Sequence, residues 1–429
     1  MTSKITQNHD NEEHINGEQH EEEEGKWLNL TNDVLALILK RLNTRVDLCR
    51  FRSICKSWRL FASPPQIHTL FPLSLPPLHP NSRKLSLSPT ILYVFSPEFD
   101  NSYEQKAWIA KVAEIGGKRW DLLNPLTKHK LYFSSRVFKN SINLMGFRNL
   151  EVGRAYRLQI IDDSAEDNTF DFEDFSSSIS VRKVVVNIVD DKISVLGLYN
   201  YGEIAIWNSG DDSWKIIEIG EKKENQFDDV ICYDGNFFAV DRRGRLVMIN
   251  TTTYEVEEVV KSMEDYHGLL KYIYLVESNY KLYMVDKIVN PRPVNYYDEE
   301  EEEWVVDKTS VGKPLGFNVY ALDVKQKCWE KVKSLGNNVL FVSRDATFSV
   351  CAESLGWSKG NCVYFEGLTG YDDEADMRFG LNAGVYMLDD GGVETFGSLS
   401  SRWTDVFWPP SSWFVDDDGD GYPEYEMEG

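Results

Sequence analysis

Near the end of the chain, Asp416, Asp418, Asp420 and Gly421 in DDDGDGYPEYEMEG reproduce the opening of a D-x-D-x-D-G calcium loop. In such a loop alternate carboxylates converge on one hard cation and a glycine permits the sharp turn. The position that should supply a bidentate glutamate is Met427, and Pro423 opposes a following helix. An acidic, disordered tail over 415–429 is the better reading. Carboxylate pairs are frequent enough for glycoside hydrolysis to be imagined, but their abundance is the whole of that case. His9, His14 and His20 lie among acids, and His68, His79, His129 and His267 are isolated from one another. A lone turn or surface imidazole explains each. The phosphate-cradling strings G-x-x-x-x-G-K-[ST] and G-x-G-x-x-G and the zinc pair H-E-x-x-H do not occur. The expectation is a non-catalytic protein with no metal and no cofactor.

Binding is therefore the chemistry to look for, and charge limits the partners. The 429 residues carry 69 acids against 46 lysines and arginines, a net charge of −23, which argues against nucleic acid and anionic membranes. Eight of those acids fall in residues 1–26, with almost nothing apolar beside them, so this N-terminal tail should be disordered. It lacks the basic and apolar regions of a secretory signal, and no later run reaches the roughly 18 apolar residues of a membrane span. A nuclear or cytoplasmic protein is expected. The six cysteines form no C-x-x-C pair and read as reduced, packed thiols.

From Trp27 the texture changes. Thr31 can cap a helix in which Val34, Leu35, Ile38, Leu39 and Leu42 recur at helical spacing. A second helix can start near Asp47, with Leu48, Phe51, Ile54, Cys55 and Trp58 on one stripe and Arg52, Lys56 and Arg59 in a row beside it. Residues 27–62 hold seven basic side chains against two acidic ones, opposite in sign to the whole chain. About 36 residues are too few to complete a core alone. These helices should bury their stripes against a partner, an acidic one by the basic row. The pair LTNDVLALILKRL and DLCRFRSICKSWR resembles an F-box, with Thr31 where proline is usual and Ile54 where valine is usual. The resemblance implies docking on the Skp-type adaptor of a cullin–RING ubiquitin ligase. Leu30, Val34, Leu35, Ile38, Leu48, Phe51, Arg52, Cys55 and Trp58 would be the adaptor contacts or their support. The bland alternative is a helical hairpin capping the large domain.

With the F-box taken as 27–66, residues 67–88 are rich in proline and read as a semi-rigid spacer. From 89 to 414 the chain is β throughout. A unit recurs in which an apolar strand ends in Asn or Asp and a second strand follows about six residues later. It is seen at Asn208, Asn250 and Asp323 and more weakly at Asn124 and Asp389, spaced 84, 42, 73 and 66 residues apart. A period near 42 with one doubled interval predicts a β-propeller of five to seven four-stranded blades. DDVICYDG, NFFAVDRRG, RLVMINTT and TYEVEEVV read as one complete blade with hairpin turns at Asp234-Gly235 and Arg243-Gly244. The acidic run Asp298–Glu303 should be a solvated inserted loop. Trp403 to Phe414 should be blade core or the seam that closes the ring.

Stretches such as AWIAKVAEIGGKRWDLLNPLT and VYALDVKQKCWEKVKSLGNNVLFV are similar to the SKIP-like, KIB-type β-propeller of plant F-box proteins, the domain of unknown function 295. That resemblance implies a substrate receptor: the F-box binds the Skp adaptor and through it cullin, and the propeller holds a protein target of unstated identity. Ubiquitination would then proceed by proximity. Alternatives are a non-degradative inhibitor of a kinase and, further off, a propeller hydrolase.

Overall fold

The computed structural model describes residues 30–39, 51–62, 71–78, 83–97, 107–116, 119–126, 147–160, 181–189, 192–199, 202–219, 226–263, 270–289, 294–298, 303–307, 314–367, 383–395 and 405–407. Leu48, the tails over 1–26 and 415–429 and the calcium-like stretch lie outside them, as do Trp403 and Phe414. Contacts divide the chain into Met1–Phe71 and Pro72–Gly429. Among the described residues no helix is long and apolar enough to cross a membrane.

The first unit contains α1 (Asn32–Leu39), a helical turn over 51–54 and α2 (Lys56–Phe61). The Thr31 carbonyl accepts from the Leu35 N–H at 3.0 Å, so Thr31 stands at the N-cap of α1. The expected single second helix is instead broken at Cys55, which is extended (φ −157°, ψ 171°). Its Sγ accepts from the Trp58 N–H at 3.5 Å. The thiol thereby satisfies one of the backbone donors that a helix start leaves over, and α2 begins anew one residue later.

The second unit is a five-bladed β-propeller. Blade 1 holds β1 (Leu73–Leu75), β2 (Leu85–Pro97), β3 (Trp108–Gly116), β4 (Arg119–Leu123) and β5 (Phe147–Ile160). Blade 2 is β6 (Val181–Val189), β7 (Lys192–Tyr199), β8 (Ile204–Asn208) and β9 (Lys215–Ile216). Blade 3 is β10 (Phe227–Tyr233), β11 (Asn236–Asp241), β12 (Leu246–Ile249) and β13 (Val256–Val260), the blade read whole from sequence. Blade 4 is β14 (Leu270–Ser278), β15 (Lys281–Val289), β18 (Pro314–Asp323) and β19 (Cys328–Lys331), with the hairpin β16 (Val294–Asp298) and β17 (Glu303–Asp307) inserted between β15 and β18. Blade 5 is β20 (Asn338–Val342), β21 (Thr347–Cys351), β22 (Cys362–Glu366), β23 (Ala383–Met387) and β24 (Val393–Thr395). The inner strands β5, β6, β10, β14 and β21 neighbour one another in that order, and β21 meets β5, so the ring is closed.

Four expectations need correction. The spacer drawn over 67–88 already contains β1 and the start of β2, because Leu75, Leu85 and Leu87 are buried in blade 1. Pro89 lies within β2 opposite Tyr156 of β5, at the gap on the other edge between the β1 pairing at Leu85–Leu87 and the β3 pairing from Thr90. The insertion is more than a loop: β16 and β17 pair with Asp298 opposite Glu303, while residues 299–302 of the acidic run lie outside the described residues. Blades 1 and 5 have five strands, and in blade 5 β20 and β22 run parallel. The doubled interval hides no further blade among the described residues, since β5 follows the outer strands of its own blade and fills that space.

The repeat itself has a physical origin. Each blade carries one copy, at Asn124, Asn208, Asn250, Asp323 and Asp389, at or just after a strand end. Asn250 Oδ1 accepts from the Thr252 and Thr253 N–H groups, both at 2.9 Å, and Asp323 Oδ1 from Lys325 and Gln326 at 2.8 and 2.9 Å. In these two blades a short acceptor side chain closes the turn into the outermost strand, whereas Asp389 accepts from Lys359 and Asn361. The tryptophan six residues on reaches another blade: Trp329 Nε1 donates to the Gly244 carbonyl of blade 3 at 2.7 Å, and Trp214 Nε1 to the Pro76 carbonyl beside β1 at 2.9 Å. The apolar core is correspondingly divided into clusters between blades 2 and 3, 3 and 4, 4 and 5, and 5 and 1. The last of these takes in Val406 and Phe407, and Trp108 Nε1 donates to the Phe407 carbonyl at 3.3 Å. That part of the aromatic C-terminal stretch is the seam expected from sequence.

Candidate functional site

Two surfaces qualify, one on each unit. In the helical unit Leu35, Phe51, Trp58 and Ala62 are buried together, and Leu30, Ile38, Leu39, Cys55 and Phe61 pack around them. Phe51 and Trp58 are in ring contact at 4.5 Å. The residues named from sequence thus separate into two kinds. Leu35, Phe51 and Trp58 are the module's own core, whereas Val34 is 40% exposed. Leu37, Ile54 and Leu60, absent from that set, are 61%, 50% and 78% exposed. Ile54 belongs to the stripe read from the sequence, but helical spacing does not say which part of a stripe faces inward; Leu37 and Leu60 fall off both stripes.

The basic row is also partly spent on structure. Arg59 Nε donates to the Arg52 carbonyl at 3.1 Å, and Arg52 Nη1 donates to the Arg59 carbonyl at 3.2 Å and to the Ala62 carbonyl. Both guanidinium groups tie the end of α2 to the turn before it. Lys56 remains exposed.

In the propeller the five inner strands enclose a cavity of about 500 Å³. At one end every blade contributes to a network of paired charges. Lys183 Nζ (blade 2) lies 2.8 Å from Asp229 Oδ1 (blade 3) and donates to Thr347 Oγ1 (blade 5) at 3.3 Å. Asp229 Oδ2 accepts from the Leu275 N–H (blade 4) at 2.7 Å. Lys111 (blade 1) pairs with Asp345 (blade 5) at 2.5 Å. These ions are desolvated and fully engaged, so they hold the ring in register and offer nothing to a ligand.

At the other end the hairpin tips are joined in sequence. Asn187 Nδ2 donates to the Gly235 carbonyl at 2.9 Å, Tyr233 Oη to the Tyr280 carbonyl at 2.9 Å, and Asn279 Nδ2 to Asn338 Oδ1 at 3.1 Å. Blades 2, 3, 4 and 5 therefore present one braced surface around that mouth.

Burial raises Glu277, Cys232 and Tyr156 in the cavity lining, and two more displaced groups lie outside it. Burial raises Asp228 to about 6, against the pull of Arg242 and Arg182. Burial also lowers Lys287 to about 7, beneath the Phe365 ring at 4.9 Å. Neither lines the cavity, so both read as buried structural charges, not as acid–base machinery. One catalytic string does occur: Gly356-Trp357-Ser358-Lys359-Gly360 has the G-x-S-x-G form. It runs from a 3-10 turn (Ala352–Leu355) into β22, where a hydrolase needs the serine between a strand and a following helix. Among the described residues no three His, Cys, Asp or Glu side chains are grouped to hold a metal.

A family model described as the KIB1-4 beta-propeller matches residues 36–387. F-box protein SKIP23 of Arabidopsis thaliana is 28% identical over 410 residues, which cover 91% of this chain and 95% of its own. A second F-box protein of the same plant is 27% identical over 409 residues, covering 91% and 95%. Among solved structures PorZ of Porphyromonas gingivalis aligns over 76% of this chain and 38% of its own at 11% identity, and its TM-score of 0.25 carries no argument.

Proposed function

The chain belongs to the KIB1-4 β-propeller family, and from that premise we propose that it is the substrate receptor of an SCF-type ubiquitin ligase. Its helical unit docks on a Skp-type adaptor, and through it cullin, while the propeller holds a protein target. The carrying observation is the exposed apolar set Val34, Leu37, Ile54 and Leu60 around a small finished core. Large apolar side chains outside the core of so small a unit favour burial against another protein. The naming of the relatives as F-box proteins supports the same reading. Catalysis here needs no active site, because holding a target lysine near a charged enzyme raises its effective concentration. We place this action in the nucleus or cytoplasm. The described cysteines Cys55, Cys232, Cys328, Cys351 and Cys362 are all free, which suits a reducing compartment.

The test is co-purification of the full chain with a Skp-type adaptor. Val34→Asp with Ile54→Asp should abolish capture while leaving the melting curve unchanged, because both side chains already face water. Leu35→Asp or Trp58→Asp should abolish capture by unfolding the unit. Failure of the wild type to capture the adaptor overturns the proposal.

A further inference from the structure

We infer that Leu73–Pro76 is a strap that fastens the chain arriving from the helical unit onto the propeller, with Trp214 as its clasp, and that its release lengthens the path between the two units. This inference rests on the substrate-receptor reading, because a ligase that works by proximity depends on the length of that path.

The strap is short for reasons its residues supply. Pro72 stands before it and Pro76 and Pro77 close it, and none of the three has an N–H to give to a ladder. Pairing with β2 is confined to Leu73, Ser74 and Leu75, opposite Leu87, Ser86 and Leu85. Of the three, Leu75 alone is buried, at 1% exposure, while Ser74 is exposed. So brief a strand, with a single buried anchor, belongs to the parts of a fold that open locally before the rest. The same prolines hold Phe71 and Leu75, which each precede one, to extended backbone. Little chain freedom is therefore lost each time the strap seats again.

Trp214 supplies what the ladder lacks. In blade 4 the corresponding tryptophan, Trp329, donates to the Gly244 carbonyl in the β11–β12 turn of the preceding blade. Trp214 of blade 2 donates instead to the Pro76 carbonyl, at 2.9 Å, and is itself 8% exposed. The joint made elsewhere to a blade turn is here made to the end of the entering strand. A carbonyl just past the last ladder pair, held by a buried indole of the neighbouring blade, pins β1 where its own hydrogen bonding stops.

The fastening sets a length. With the strap seated the propeller begins at Leu73, eleven positions after Ala62 of the helical core; with it released the propeller begins at Leu85, 23 positions after Ala62. Effective concentration falls roughly as the −3/2 power of tether length, so doubling the path lowers it about threefold.

The experiment follows amide hydrogen exchange at Leu73–Leu75 in the full chain. Trp214→Phe keeps a ring in place but removes the donor, and should speed exchange there about fivefold while leaving β10 to β13 unchanged. Trp329→Phe removes the same bond in blade 4 and should not affect these amides. Equal acceleration by the two variants would mean a general loosening of the ring and would overturn the inference, as would no acceleration by Trp214→Phe. Leu75→Ser releases the strap without touching the tryptophan, and carries the test if Trp214→Phe does not fold. Dyes at the exposed Lys56 and Glu258 read the path by energy transfer. Trp214→Phe and Leu75→Ser should both broaden the distribution of separations, and Trp329→Phe should not; an unchanged distribution beside faster exchange also sinks the inference. Adaptor capture by the same preparations separates the two proposals. Capture with an unresponsive strap removes this inference alone; a responsive strap without capture removes the ligase reading and leaves the fastening standing.

Discussion

Cys55 and Lys287 show how far a residue's type is from its role. The thiol of Cys55 has no redox or metal partner among the described residues; it caps α2 and packs beside Leu35, Phe51 and Trp58. Lys287 lies fully buried on β15, with Nζ donating to the Glu366 carbonyl at 2.5 Å. Burial lowers its pKa to about 7 from the ordinary 10.5. The sign follows from which state takes the proton first. As pH falls from 10.5 the unfolded chain protonates before the folded one, so this group's contribution to stability declines down to about pH 7 and is constant below it. Lys287→Met removes that dependence. Denaturation at pH 7 should find the variant more stable than wild type, with the difference narrowing steadily toward pH 10. A constant difference would show that the amine is not the titrating group.

The turn that closes each blade carries its own prediction. Asn250 and Asp323 each accept two backbone N–H bonds at the entry to the outer strand. Replacing either with alanine leaves these donors to solvent and should cost about 1 kcal/mol in a denaturant titration, with the slope unchanged. Asn208 differs, because its amide donates to the Thr251 carbonyl at 2.7 Å and to Tyr254 Oη at 2.8 Å and so ties blade 2 to blade 3. Its alanine variant should cost more than the other two. These turns were legible from sequence because the Asx geometry needs a short acceptor at a fixed offset. The parallel pairing of β20 with β22 was not legible, since nothing local distinguishes a strand returning beside its neighbour from one crossing to a new partner.

At the scale of the ring, stability depends on closure between the first and last blades. Phe407 is 2% exposed and meets the rings of Tyr364 at 5.6 Å and Phe341 at 6.5 Å in T-shaped contacts. Gly153 approaches Phe348 so closely that an added Cβ would lie 3.2 Å from the Phe348 Cβ. Phe407→Ala should cost about 3–5 kcal/mol. Hydrogen exchange should then report opening first at β2, β3 and β21, the strands that this seam covers. Uniform loss across all blades would show instead that the ring unfolds as one unit.

The amino-acid pattern alone determined the β repeat, blade 3 strand by strand, the N-cap at Thr31 and the helical character of the front segment, because each depends on spacing within a few residues. Only the tertiary structure decided the number of blades, the split of the front helices into core and exposed face, and the end of the channel at which charges from every blade are paired. Those depend on which distant residues meet: Leu35 with Trp58, Lys183 with Asp229, Trp108 with the Phe407 backbone. Local periodicity carries no information about contacts between residues so far apart along the chain.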